Sequence, residues 1–369
     1  MLKSLDGMRI PVTEKQAQAL RAAAGILTLI ATGLIFYRAV GTVGWQTDVS
    51  WHTLNGLQIL RTHSIPLTDT WTWKTPGHPW GDGEWLWDLV SAFVYLHFGW
   101  FGIRLFAVAI MEGLTFSLWR YARTLQPTSV AILVAILSGF AWITETQARP
   151  QLVSYLFFAW ALLAIEKARA EGTKRPLWLF LPVLILWNNM HGSAVLWLGL
   201  IGLEMLFAWK KAKEYTGLAL ASLAALCVRP DPLALLHFLS RQLTPANLVI
   251  SEWLSPSFHQ PNQLYILALG ILLIGSTWHK ATLKEKCWLI FGWAAYFIAQ
   301  RFSTYAVILT RVVFARAFKV PERLYRNNFL PMLTALILGI FLSDFLGPAL
   351  RLWSVIGAPI AAQHQIRIF

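Results

Sequence analysis

The stretch "TDVSWHTLNGLQILRTHSIPLTDTWTWKTPGHPWGDGEWLWD" (residues 47–88) interrupts a mostly apolar sequence with four Asp, one Glu, three His and six Trp. A plain connector between two helices needs none of these side chains. Because they are concentrated in one segment, we interpret residues 44–101 as a long loop with a functional face.

The composition around this loop is that of a membrane protein. Of the 369 residues, 56% are hydrophobic and 13% are charged, whereas soluble domains carry about 25% charged residues. The mean hydropathy is +0.53. Apolar runs of about 20 residues, the length that crosses a bilayer, recur along the chain. The sequence therefore predicts an all-α polytopic membrane protein, with its 20 Trp near the lipid headgroups.

The distribution of positive charge sets the predicted topology. Lys and Arg mark cytoplasmic loops, so we attribute the net charge of +13 to membrane sidedness and expect no nucleic-acid partner. Residues 1–20 then form a cytoplasmic tail, 21–346 a transmembrane domain and 347–369 a short outer tail. About 11 transmembrane helices are predicted, at 21–43, 102–122, 128–146, 152–168, 176–190, 193–209, 215–228, 262–278, 287–299, 303–318 and 329–346.

Two segments of the loop are predicted to lie along the membrane surface as amphipathic helices. They are "VSWHTLNGLQIL" and "EWLWDLVSAFVYLHFGWFG". A transmembrane assignment for 84–101 would place "KKAK" and "KVPERLYR" outside, against the positive-inside rule. The two cysteines, Cys227 and Cys287, fall in apolar runs and match no disulfide or metal-binding pattern.

This topology brings polar residues from separate loops to the outer face. They are Asp48, Asp69, Asp82, Glu84, Arg149, His191, Arg229, Asp231, Glu252 and Arg301. Glu112 and Glu204, in contrast, fall within helices, where we expect helix–helix hydrogen bonds.

Four carboxylates are candidate catalytic residues. Asp48, held by an interfacial helix, can accept a proton from an attacking hydroxyl, although the same position suits a helix N-cap. Asp82 and Glu84, in "WGDGEW", can bind a divalent cation or orient a hydroxyl, but acids also favour a helix N-terminus. Glu252 is expected to close the site from a later loop.

Seven residues are candidate substrate ligands. Arginines at outer helix ends oppose the positive-inside bias, and phosphate binding accounts for them better than snorkelling to headgroups. The segment "WNNMHGS" supplies a His and an Asn that can reach a phosphate or a sugar hydroxyl, or can simply pack. The candidates are His52, Arg149, Gln151, Asn189, His191, Arg229 and Arg301.

The sequence contains no P-loop, Rossmann fingerprint or zinc-protease signature, which favours a donor dissolved in the membrane over a nucleotide. It resembles instead the GT-C superfamily of integral membrane glycosyltransferases, in a bacterial branch distantly similar to protein mannosyltransferases and aminoarabinose transferases. The resemblance is carried by "DVSWHTLNGLQIL", "SIPLTDTWTWKTPGHPWGDGEWL", "ARPQLVSYLF", "LWNNMHGS", "RPDPLALLHF", "SEWLSPSF" and "QRFSTYAV".

The resemblance implies a polyprenyl-phosphate-linked sugar donor, with Asp48 as catalytic base and donor or metal contacts from Arg149 and Gln151. The chain departs from the family's pattern in having one Asp after helix 1 and "RPQ" where an Asp is common. These departures leave a divalent metal ion open as a cofactor.

The expected function is inverting sugar transfer to a lipid, glycan or protein acceptor, on the outer face of the cytoplasmic membrane. A flippase for a polyprenyl-linked glycan and a non-catalytic assembly subunit are the rival interpretations. A glycan polymerase or ligase would share nearly all of these features.

Overall fold

The computed structural model describes residues 14–41, 47–69, 71, 77, 82–142, 147–208, 210, 212–232 and 250–319. Its regular elements are all helices, which agrees with the predicted all-α class. They are α1 Glu14–Val40, α2 Thr47–Thr62, α3 Trp85–Leu125, α4 Thr128–Trp142, α5 Gln151–Glu171, α6 Arg175–Leu179, α7 Leu181–Met190, α8 Leu196–Phe207, α9 Lys213–Leu226, α10 Pro261–Thr277, α11 Leu283–Ile298 and α12 Ser303–Ala317. Short 3-10 turns cover Gly192–Val195, Ser251–Trp253 and Gln300–Phe302.

Most observed helix bounds differ from the predicted ones by a few residues, and larger differences occur at α1 and within 176–190. Helix α1 begins at Glu14, inside the segment predicted as the tail 1–20. The single helix predicted over 176–190 is divided into α6 and α7. Pro182 explains the division, because proline lacks the N–H that a continuous helix would use to bond the carbonyl four residues earlier. The predicted helix 329–346 and the tail 347–369 lie outside the described residues.

Helices α2 and α3 approach each other closely at Gly56. A Cβ at this position would lie 1.9 Å from the backbone oxygen of Asp88. Only a residue without a side chain fits here, so Gly56 allows the polar face of α2 to contact the start of α3.

Helix α3 is interrupted at Gly99. This glycine has φ +58° and ψ −159°, in a region of backbone conformation that other residues rarely adopt. The break separates an N-terminal segment that begins at Trp85 from the more C-terminal part of α3. Its position agrees with the sequence-based division between an interfacial helix and the predicted helix 102–122.

Helix α12 lies at the centre of the described bundle. Almost every residue of this helix is buried, and it packs against α3, α4, α5, α10 and α11. Tryptophans contribute to the same core, since the side chains of Trp87, Trp187, Trp197 and Trp288 are almost fully buried. These four therefore serve interior packing, which the interfacial interpretation of the tryptophans did not predict.

Two of the described helices, Trp85–Leu125 and Gln151–Glu171, are long and apolar enough to cross a bilayer. Shorter apolar stretches occur at Gly25–Val40, Thr128–Gly139, Gly192–Phe207 and Pro261–Thr277.

The two intrahelical acids have different surroundings. Glu204 on α8 binds the ammonium group of Lys284 on α11 at 2.6 and 2.7 Å, so its predicted role in joining helices is confirmed. The carboxylate of Glu112 lies about 3.7 Å from the position that a Cβ of Gly33 would take. Thr32 on α1 is a polar side chain that faces this carboxylate, and the predicted helix–helix hydrogen bond stays a prediction there.

Candidate functional site

The site is built where the polar face of α2 meets the start of α3. His52 and Asn55, one turn apart on α2, both contact Asp88. The Nδ1 atom of His52 lies 2.6 Å from Oδ1 of Asp88, and the Asn55 amide donates to Oδ2 at 2.6 Å. The same amide donates to Asp82 at 2.8 Å. These bonds hold the segment before α3 against α2.

The Glu84 carboxylate lies between two imidazole rings. Its Oε2 is 3.7 Å from Nε2 of His52, and its Oε1 is 3.4 Å from Nε2 of His191. The Glu84 side chain is 30% exposed, whereas both histidines are buried. A proton can therefore pass between solvent and a carboxylate whose surroundings are largely fixed.

The proton position on His191 follows from its partners. The backbone N–H of Ser193 donates to Nδ1 of His191, so in the neutral ring the hydrogen is on Nε2. The Nε2 atom lies 3.4 Å from Oε1 of Glu84. The hydroxyls of Ser193 and Ser154 each lie 2.8 Å from Nδ1, and Tyr305 donates to the Ser193 hydroxyl at 3.1 Å.

Burial and neighbouring charges give these groups different proton affinities. Burial raises the pKa of Glu84 to about 7; His52 opposes this shift, and the charges of Asp88 and Asp82 add to it. Burial, together with Asp88, also raises the pKa of Asp82 to about 6. Burial lowers the pKa of His191 to about 3, helped by the charge of Arg301, so this ring is neutral at physiological pH.

His52 behaves in the opposite way to His191. Burial lowers the pKa of His52, but the hydrogen bond and charge of Asp88 outweigh it, and the net shift is upward. Glu84 therefore has one neighbour that favours the charged imidazolium and one that stays neutral.

A second group of charges forms a chain of ion pairs. Arg149 binds Asp48 at 2.8 Å and Glu252 at 3.0 Å, and Glu252 also lies 3.7 Å from Arg301. Burial acts to lower the pKa of Arg149, but Glu252 and Asp48 outweigh it and raise that pKa. Asp48 is the second residue of α2, inside its first turn, and so it is not the N-cap residue that the sequence also allowed. Its carboxylate forms the ion pair with Arg149 instead.

The chain of ion pairs lies within electrostatic reach of Glu84 and the two histidines beside it, His52 and His191, which we call the Glu84 cluster. The charge of Arg301 lowers the proton affinity of both Glu84 and His191, and the charge of Arg149 acts on His191 as well. The two groups therefore belong to one site, assembled from the starts of α2, α3 and α5 and the turns before α8, α10 and α12.

Arg229 lies on another side of the same cluster. It donates to the carbonyl oxygens of Gly83 at 3.3 Å and Asn188 at 3.2 Å, and its Nε has no hydrogen-bond partner among the described residues. Burial lowers the pKa of this guanidinium. Asn189 accepts from the Trp85 indole at 2.9 Å and donates to the Val228 carbonyl at 2.8 Å.

Beside Arg229 opens a groove of about 710 Å³. Its walls are mainly apolar, and they include Leu86, Ile185, Leu186 and Val228. Trp85 and Asn189, which flank the Glu84 cluster, also line it. The groove therefore places an apolar surface and a partly buried cation next to the titratable carboxylate of Glu84.

Ten of the eleven sequence-predicted site residues take part in these contacts, and Gln151 begins α5 two residues after Arg149. Asp82 accepts from the Glu84 backbone N–H at 3.1 Å and from Asn55, so both of its oxygens support local structure. Gln151 has a buried side-chain oxygen without a hydrogen-bond partner in the described part of the chain. No group of three or more His, Cys, Asp or Glu suited to a metal ion occurs among the described residues.

Sequence reasoning missed Asp88, Asn55, Ser154 and Ser193. Asp88 reads as one acid in an amphipathic aromatic helix, and its contact with His52 joins residues 36 apart in the sequence. One available signal was Gly56, because a glycine inside a helical pattern often marks a close packing contact.

Comparison with known proteins gives no assignment. No family model matches the chain. No curated protein and no solved structure matches it. The resemblance to GT-C enzymes therefore stays a prediction.

Proposed function

We propose that this chain is a membrane glycosyltransferase that moves a sugar from a polyprenyl-phosphate-linked donor to an acceptor hydroxyl. The observation that carries the proposal is the position of Glu84, between the Nε2 atoms of His52 and His191 and beside the apolar groove at Arg229. A base, a cation for a phosphate and a surface for an isoprenoid chain are the three parts such a reaction needs.

The transfer is a single displacement with inversion. The acceptor oxygen attacks the anomeric carbon and gives its proton to the Glu84 carboxylate. The bond from the anomeric carbon to the phosphate oxygen breaks, and its electron pair leaves with the polyprenyl phosphate. A base is most effective when its pKa lies near the working pH, and the pKa of Glu84 is about 7.

This assignment moves the base from Asp48, which the resemblance implied, to Glu84. One oxygen of Asp48 is engaged by the Arg149 guanidinium at 2.8 Å, whereas the side chains paired with Glu84 in the described part of the chain are two imidazoles. In this mechanism Asp48 keeps Arg149 in place and the protonation step belongs to Glu84.

The donor phosphate is assigned to Arg229. This guanidinium lines the groove, and its hydrogen bonds to Asn188 and Gly83 go to neutral carbonyl oxygens, which an incoming oxyanion can replace. The isoprenoid chain then lies in the adjoining groove, whose apolar walls match its chemistry. Negative charge that develops on the leaving phosphate is stabilised by the guanidinium.

The proposal places the protein in the cytoplasmic membrane with about 11 transmembrane helices and the Glu84 cluster outward, as the positive-inside rule predicts. The flippase, the assembly subunit and the glycan polymerase or ligase are the alternatives. A flippase or an assembly subunit would form no new glycosidic bond, and a polymerase would transfer a lipid-linked glycan rather than one sugar.

The test is transfer from a set of radiolabelled polyprenyl-phosphate sugars by the full chain in lipid nanodiscs, with bacterial membrane lipids and glycans as acceptors. We expect a labelled product from one donor, and Glu84→Gln to lower its rate by about 100-fold or more. Glu214→Gln is the matched control, because Glu214 pairs with Lys174 away from the site. Label that only crosses the bilayer, with no product, would favour the flippase instead.

A further inference from the structure

The carboxylate of Glu252 has one oxygen on each of two arginines. Its Oε2 accepts from Arg149 at 3.0 Å, and its Oε1 lies 3.7 Å from Arg301. The side chains of Glu252, Arg149 and Arg301 are 27%, 15% and 18% exposed, respectively. All three are therefore largely shielded but still reachable from solvent. A bridging oxyanion between two guanidinium groups is the arrangement in which arginines bind phosphate.

The backbone around Glu252 is held independently of this ion pair. The Gln300 side chain donates to the Ser251 carbonyl at 2.7 Å, and the Gln300 backbone N–H donates to the Leu254 carbonyl at 2.9 Å. Arg301 also lies over the Trp253 ring, 4.2 Å from its centroid. Rotation of the Glu252 side chain alone can therefore vacate the two arginines while its backbone stays in place.

The charges explain why such a vacancy would be filled. Arg149 and Arg301 carry two positive charges, and Asp48 and Glu252 carry two negative charges within the same chain of contacts. Rotation of Glu252 away from the arginines leaves an excess positive charge close to Glu84 and His191. An oxyanion of the substrate restores the balance without a buried, unpaired arginine.

We infer that Arg149 and Arg301 form a second oxyanion site, separate from Arg229, which the Glu252 carboxylate occupies until a phosphoryl group of a substrate displaces it. The inference rests on the proposed function only for the identity of the molecule that bears this phosphoryl group. The phosphoryl group belongs either to a lipid phosphate or to a free, water-soluble phosphate, and both have the chemistry that the site recognises.

The test measures binding to the full chain in nanodiscs, by equilibrium dialysis with two radiolabelled probes, inorganic phosphate and farnesyl monophosphate. Glu252→Gln removes the internal competitor and keeps the shape of the side chain. We expect the Kd of at least one probe to fall by about tenfold, the scale of one close charge contact. The gain is expected to disappear in Glu252→Gln/Arg301→Gln and to persist in Glu252→Gln/Arg229→Gln.

Glu214→Gln is the control and should leave both Kd values unchanged, since its partner is Lys174. Tighter binding of both probes identifies the phosphoryl group alone as the ligand, and tighter binding of farnesyl phosphate alone identifies a lipid phosphate. Unchanged or weaker binding of both probes overturns the inference. Thermal unfolding shows whether each variant is folded. If Glu252→Gln does not fold, Glu252→Asp replaces it, because its shorter carboxylate should still lower the Kd of the probes.

This result is independent of sugar transfer. A gain in phosphate affinity without any glycosyl product supports the oxyanion site and counts against the proposed function. A glycosyl product without a gain in affinity supports the function and overturns the role of Glu252.

Discussion

At the scale of single residues, Glu84 is distinguished by its neighbours. Its two oxygens face two imidazoles whose proton affinities are shifted in opposite directions. The residue types were visible in the sequence, and Glu84 was among the predicted catalytic residues. Its contact with His191 was not predictable, because it joins α3 to the turn after α7 through tertiary packing alone.

The pKa of Glu84 predicts the pH dependence of catalysis. A carboxylate with a pKa of about 7 is mostly protonated at pH 6 and mostly ionised at pH 8. Only the ionised form can accept a proton, so kcat/KM should rise with pH and level off above a midpoint near 7. A profile of kcat/KM from pH 5 to 9 tests this. A midpoint near the ordinary value of 4.5 would contradict it.

Asp88 is predicted to position His52 and hold its charge. In Asp88→Asn, His52 loses the negative charge that raises its pKa, and the one remaining side-chain oxygen can accept from His52 or from Asn55 but not from each as before. We expect the transfer rate to fall by about 100-fold and the pH midpoint to move, because the charges near Glu84 change. A purely structural role would lower the melting temperature and leave the midpoint of the remaining activity unchanged.

At the scale of helices, the sequence predicted most elements from apolar runs and breaking residues. The predicted range 303–318 corresponds to α12, Ser303–Ala317, and 262–278 to α10, Pro261–Thr277. The division of the predicted helix 176–190 into α6 and α7 was harder to predict from composition, because "RPLWLFLPVLILW" is apolar on both sides of Pro182. The pairing of α2 with α3 depends on a contact between segments that are distant in the sequence, and the periodicity of apolar residues does not predict such contacts.

Gly56 provides a test of that pairing. In Gly56→Ala the new Cβ would lie 1.9 Å from the Asp88 backbone oxygen, so α2 must move and the His52–Asp88 bond must lengthen. We expect a loss of about 1–3 kcal/mol in stability and loss of most activity. Gly199→Ala is the matched control, because a Cβ there meets nothing within 4 Å. Equal melting temperatures for the two variants would contradict the close approach.

At the scale of the whole molecule, sugar transfer on the outer face requires the Glu84 cluster to face away from the cytoplasm. Positive charge in the loops predicts that His259 lies outside and Glu171 inside. Both positions are exposed, so a cysteine at either one can react with a maleimide. The sidedness follows from the distribution of charge over many loops, so it cannot be read from the contact of any single residue.

Labelling with a membrane-impermeant maleimide tests the orientation. The background is Cys227→Ala/Cys287→Ala, which removes both native cysteines. In intact spheroplasts, His259→Cys should be labelled and Glu171→Cys should be labelled only after lysis. The reverse pattern would place the cluster on the cytoplasmic side and exclude an outward active face.

Transfer from a saturating polyprenyl-phosphate sugar in nanodiscs distinguishes Glu84 from Asp48 as the base, when Glu84→Gln is compared with Asp48→Asn. We predict that Glu84→Gln lowers kcat by about 100-fold or more, and that Asp48→Asn stays within about tenfold of the unaltered chain. Full activity in Glu84→Gln, together with loss of activity in Asp48→Asn, would contradict this account and return the base to Asp48.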